Sequence, residues 1–189
     1  MKEIRLVELR AAEEEGMIVE GYAAVFDSIT DLGWMKEVID RNAFDGADMS
    51  DIVMKYNHEN NVLPMARTRG GSLKFEIDDH GLRIRAKLPD TTVNRDIYTL
   101  ITEGILNKMS FAFTIKEDEY DYDTDTRKIL RFDKIFDVSV VDVPAYESTE
   151  IYARNKDEYE VEKTKYFEQK EAHRKLELEK KKALAILSL

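Results

Sequence analysis

His58 and Ser110 are the side chains of this sequence best placed by type and setting for nucleophilic chemistry. His58 lies in KYNHENN (55–61) and Ser110 in LNKMSFAF (106–113), each at or beside an apolar-rich strand pattern. A serine hydroxyl is a weak nucleophile until a neighbouring base takes its proton, and a third group usually fixes the tautomer of that base. With three histidines and no cysteine in 189 residues, thiol catalysis is excluded and a His-rich metal centre is disfavoured. A serine hydrolase is therefore the first expectation.

Pleating puts Met109, Phe111, Phe113 and Ile115 on one side of the Ser110 strand and Ser110, Ala112 and Thr114 on the other. The bulky side is expected to face the core, leaving Ser110 on a shallow, approachable face. In IFDVSVVDV, alternation groups Ile135, Asp137, Ser139 and Val141 in one row. A carboxylate inside an apolar strand needs a hydrogen-bonded partner, and an imidazole N–H would serve, which makes Asp137 the candidate third member. Ser139 is the reserve nucleophile; Ser28, Ser50 and Ser72 sit in turn-like surroundings. Structural roles stand beside these: His58 capping a strand end, Ser110 as a small packing residue, Asp137 paired with Arg131 or Lys134.

The elements that must position these residues are mostly strands. SLKFEIDDHGLRIRAKL predicts a hairpin, with Leu73, Phe75 and Ile77 facing Leu82, Ile84, Ala86 and Leu88 across a DDHG turn. TTVNRDIYTLITEG predicts one helix, capped by Thr91 or Thr92, with Ile97, Leu100 and Ile101 on one face and Gly104 as its stop. Strands are predicted at 109–116, 128–133 and 135–143, with EDEYDYDTDT as the loop joining the first two. Asp121, Asp123 and Asp125 have calcium-loop spacing, but Thr126 replaces the needed glycine and Phe132 the bidentate glutamate, so no metal or other cofactor is expected.

Glycine and proline stop at Gly104 and Pro144, and beyond Ala153 nearly every residue favours helix. The division expected is a domain over 1–154 and a charged helical tail over 155–189. Apolar residues of that tail gather at Tyr159, Tyr166, Phe167, Leu176, Ala183, Leu184 and Leu187, available to a partner or to a second copy of the chain. A net charge of −10 argues against nucleic acid as a ligand, and the lack of a long apolar run argues against a membrane span. MKEIRLVELR alternates like a strand rather than a leader, which with the missing cysteines suits a reducing cytoplasm.

The order of motifs resembles the prohead proteases of HK97-type tailed phages across most of residues 2–153. The landmarks are GYAAVFDS, EVIDRNAF, NHE, GGSLKFEIDDHGLRIRAKLPDT, RDIYTLITEG, MSFAF and DVSVVDVPAY. The resemblance implies that His58 is the base and Ser110 the nucleophile, with the acid before VSVV as third member. Here that acid is Asp137, where the family more often carries glutamate; Lys108 and Ala112 stand where it carries glycines. The family is similar in architecture to the herpesvirus assembly proteases, which implies a compact, mostly β barrel with flanking helices (α+β) and a surface serine–histidine pair. The implied activity is serine endopeptidase, with backbone N–H groups near Ser110 holding the oxyanion. The implied setting is the immature procapsid in the host cytoplasm, where the major capsid protein loses its scaffolding segment and the protease cuts itself. The alternative is a catalytically silent assembly scaffold acting through the helical tail.

Overall fold

The computed structural model describes residues 3–11, 16–142 and 149–187, so the VPAY end of the last family landmark lies outside the described residues. The chain divides into two compact units, residues 1–121 with 125–147 and residues 122–124 with 148–189.

In the first unit the strands are β1 (Glu3–Ala11), β2 (Ile18–Val25), β3 (Thr30–Asp31), β4 (Lys36–Ile39), β5 (Val53–Tyr56) and β6 (Ala66–Arg67). β7 (Leu73–Ile77), β8 (Gly81–Lys87), helix α1 (Thr92–Thr102), β9 (Lys108–Asp121) and β10 (Thr126–Val141) follow. This is the expected mostly β, α+β class. The strands form one sheet ordered β3-β4-β10-β9-β1-β2-β8-β7, with β5 joined to β10 and β6 to β5. The closed barrel is not found: among the described residues no ladder links β7 to β3. β3 is only two residues long, too short to accept a strand, and Phe75 and Ile77 of β7 stay half exposed at the other edge.

The predicted hairpin forms with Leu73 opposite Ala86, Phe75 opposite Ile84 and Ile77 opposite Leu82. The predicted helix forms too. Thr91 Oγ1 accepts from Asn94 N at 3.2 Å, and Gly104 at φ +72° ends the helix, with Gly104 N and Ile105 N donating to Ile101 O and Leu100 O. Ile97 and Ile101 anchor α1 in the core, whereas Leu100 is largely outside it.

The acidic run is a departure from expectation. β9 continues to Asp121 and β10 starts at Thr126, so only a short turn separates two long paired strands. Cross-strand neighbours neutralise the carboxylates: Glu119 faces Lys128, Glu117 faces Arg131, and Arg127 Nε lies 2.7 Å from Asp118 while its guanidinium covers the Tyr120 ring. Likewise 128–133 and 135–141 are one strand broken by register shifts. The shift between Ile135 and Asp137 inserts one extra residue, with Ile135 opposite Phe113 and Asp137 opposite Ala112. Strict alternation had put Ile135 and Asp137 in one row; the bulge separates them. Ile135 joins the core of Phe26, Phe44, Phe111, Phe113 and Phe132, whose contacting rings have centroids 4.7–5.9 Å apart.

In the second unit α2 (Thr149–Leu187) runs for 39 residues, and no helix among the described residues is long and apolar enough to cross a membrane. Tyr166 packs on Tyr122 of the same unit, and Lys170 Nζ lies 2.6 Å from Asp123. Val161, Phe167, Leu176 and Leu178 are exposed. At about 100° per residue Val161 and Leu176 share one side and Phe167 and Leu178 another, so they do not make a single seam. The side chains of Tyr159, Ala183, Leu184 and Leu187 lie outside the described residues.

Candidate active site

β5 runs parallel to β10, with Val53 opposite Asp137, Lys55 opposite Ser139 and Tyr56 opposite Val140. On the other side of β10, Ser139 faces Ser110 and Asp137 faces Ala112. One transverse row therefore reads Lys55, Ser139, Ser110 across three strands. Side chains directly opposite in adjacent strands have Cβ atoms about 4.5–5.5 Å apart.

His58 follows β5 in a tight turn. Glu59 N donates to Tyr56 O at 3.0 Å, and the two central residues, Asn57 and His58, have φ of +50° and +57°. That is the signature of a type I′ turn, in which asparagine is at home in the first central position and glycine is favoured in the second. Asn57 N donates to Val140 O at 2.9 Å and Asn57 Oδ1 accepts from Asp142 N at 3.1 Å, tying the turn to the end of β10.

The turn delivers the imidazole to Asp137. His58 Nδ1 lies 2.5 Å from Asp137 Oδ1, and the carboxylate is 1% exposed. Arg131 and Lys134, the structural partners considered for Asp137, are engaged elsewhere, with Asn42 O and Asp48. The shorter acid therefore reaches the imidazole without help. Because a carboxylate accepts, Nδ1 is the donor of this bond and Nε2 is the nitrogen left to other partners.

Ser139 Oγ donates to Asp137 Oδ1 at 3.1 Å and lies 3.2 Å from His58 Nδ1. It belongs to the acid end of the imidazole, so the reserve nucleophile is committed to the carboxylate. Ser110 Oγ and His58 Nε2 are both buried and have no hydrogen-bond partner. Buried polar atoms are rarely left so, and the structure does not bond Ser110 to His58.

One expectation is corrected. Ser110 does not lie on an open face: it and Ala112 are both 0% exposed, because the sheet carries material on both sides there. The backbone of β9 beside Ser110 is paired on both edges. Residues 108–113 are paired with β1 on one edge and with β10 on the other, so their N–H groups belong to ladders. Lys55 was not singled out from the sequence although it stands in KYNHENN; its alignment with Ser139 depends on pairing between strands some eighty residues apart.

A serine on β9, a buried carboxylate on β10 and an imidazole in the turn after β5 are the residue types that serine hydrolases use. The sequence profile of the caudovirus prohead serine proteases matches residues 5–164, and the chain belongs to that family. The prohead protease of Enterobacteria phage HK97 is 27% identical over 140 residues, covering 72% of this chain and 59% of that protein. The match thus spans less than two thirds of that curated relative. No solved structure gives a significant match.

Proposed function

We propose that this protein is a serine endopeptidase that matures a procapsid by cutting the scaffolding segment from the coat protein, and itself, with Ser110 as nucleophile, His58 as general base and Asp137 as the acid that orients it. The observation that carries this reading is the polarity of the imidazole: Nδ1 is held by Asp137, while Nε2 and Ser110 Oγ are buried polar atoms without a hydrogen-bond partner. In the reaction Ser110 Oγ attacks the peptide carbonyl as His58 Nε2 takes its proton. His58 then gives that proton to the departing amine, and water repeats the sequence to release the acyl enzyme. The oxyanion donors come from a segment other than β9, for the ladder reason given above.

Complete burial of Ser110 favours one rival, a silent scaffold acting through α2. Incubating the purified chain with the coat protein of its own phage, and reading fragment masses, separates the two. Wild type is expected to give discrete fragments and Ser110→Ala none, at unchanged circular dichroism. Equal cleavage by both would move the nucleophile elsewhere, and no cleavage by either would favour the scaffold.

A further inference from the structure

We propose that Lys55 is a positioning residue that locks the acid and the turn bearing the base into one rigid unit; the proposal rests on the serine endopeptidase reading of the same site. Lys55 Nζ lies 3.7 Å from Asp137 Oδ2 and donates to Asn60 Oδ1 at 2.7 Å. Its side chain is 16% exposed, so most of its length is held in the protein. Lys55 and Asn60 immediately flank the Tyr56–Glu59 turn, and their contact closes the turn at its base. The same ammonium faces the carboxylate that the turn must meet.

The need for such a clasp follows from the backbone. Asn57 and His58 are successive non-glycine residues with positive φ, and His58 stands where glycine is favoured. A turn under that strain keeps one geometry only while its surroundings impose it. Asp137 has the complementary requirement, since a buried carboxylate must be fixed and compensated if it is to hold a single partner. Ser139 holds Oδ1 and Lys55 faces Oδ2, so the two oxygens are distinguished and only Oδ1 is directed at the imidazole. Lys55 touches neither Ser110 nor Nε2 in this arrangement, and acts through its neighbours.

The test compares wild type, Lys55→Met, Lys55→Arg and Asn60→Ala, with Ser110→Ala as reference, on a peptide spanning a junction cut in the coat protein. Asn60 is exposed, so its variant keeps the fold and breaks the clasp without removing the charge. Lys55→Met is expected to lower kcat about 10- to 100-fold with KM unchanged. Asn60→Ala should lower it less, and Lys55→Arg should recover most of it. A second readout, in the Ser110→Ala background, is the downfield proton resonance of His58 Nδ1–H bound to Asp137, which should broaden or vanish in Lys55→Met and Asn60→Ala. Normal kcat with the resonance in place in both variants overturns the role of Lys55 and leaves the serine reading intact. Cleavage by Ser110→Ala overturns the serine reading instead. The resonance then still decides whether Lys55 holds the pair.

Discussion

His58 occupies a backbone position that glycine would fill more comfortably, at φ +57° in the second central place of a tight turn. A residue type kept at a conformational cost is kept for its side chain, and this one meets a buried carboxylate at 2.5 Å. Asp137→Asn tests that pairing with almost no change in shape. The amide would donate to Nδ1, shift the ring proton to Nε2 and leave nothing to accept the proton of Ser110. Cleavage of the coat protein is expected to slow by about 10⁴-fold, with the melting temperature changed far less than by a core truncation. Wild-type rates from Asp137→Asn would remove the acid from the mechanism. His58, Ser110 and Asp137 were legible as chemical types, and family landmarks ordered them. Their orientation was not, because which imidazole nitrogen faces the acid depends on a turn conformation and on Ser139, a residue read from the sequence as a spare nucleophile.

At the scale of elements, the site is made by β5, β9 and β10, and by a bulge that turns Asp137 and Ser139 away from the aromatic core. The hairpin β7–β8 and helix α1 were readable because their signals are local: alternation on both sides of a turn, a threonine cap, a glycine stop. The continuous β9–β10 hairpin was not, since its acidic tip reads as loop until Lys128, Arg131 and Arg127 are seen opposite the carboxylates. Bulges are equally hidden, for one extra residue resets the alternation without any mark in composition. The β2–β8 seam offers a sharp test of close packing. A Cβ on Gly81 would sit 2.0 Å from Ala24 O, with backbone rather than a yielding side chain in the way. Gly81→Ala is expected to destabilise the protein by about 2–4 kcal/mol, read by urea denaturation, as the β7–β8 hairpin is pushed off β2. An unchanged midpoint would mean that this seam is looser than described.

For the whole molecule, acidity is managed by pairing. Asp40, Asp48, Asp51 and Asp78 are all held below the ordinary carboxylate value of 3.8, chiefly by Lys128, Lys134, Arg67 and the Tyr22 hydroxyl respectively. A carboxyl group with a lower pKa folded than unfolded binds protons more readily when unfolded. Its stabilisation is complete above the unfolded value and is lost as pH falls through the folded one. The melting temperature of Ser110→Ala protein should therefore be level from about pH 7 to 5 and decline below about pH 4. A level profile down to about pH 2.5 would contradict this picture of the surface. The sequence by itself determined the class of the molecule: alternation and punctuation prescribe strands with one internal helix, and the ordered motifs prescribe the family and its candidate base and nucleophile. Only the tertiary structure decided that the sheet stays open, that Ser110 is buried, that the β9 amides beside Ser110 are held in ladders, and that Lys55 stands against the acid. Those outcomes depend on which distant strands share hydrogen bonds and in what register, and β-pairing between remote segments is a property of the assembled sheet rather than of any local run of residues.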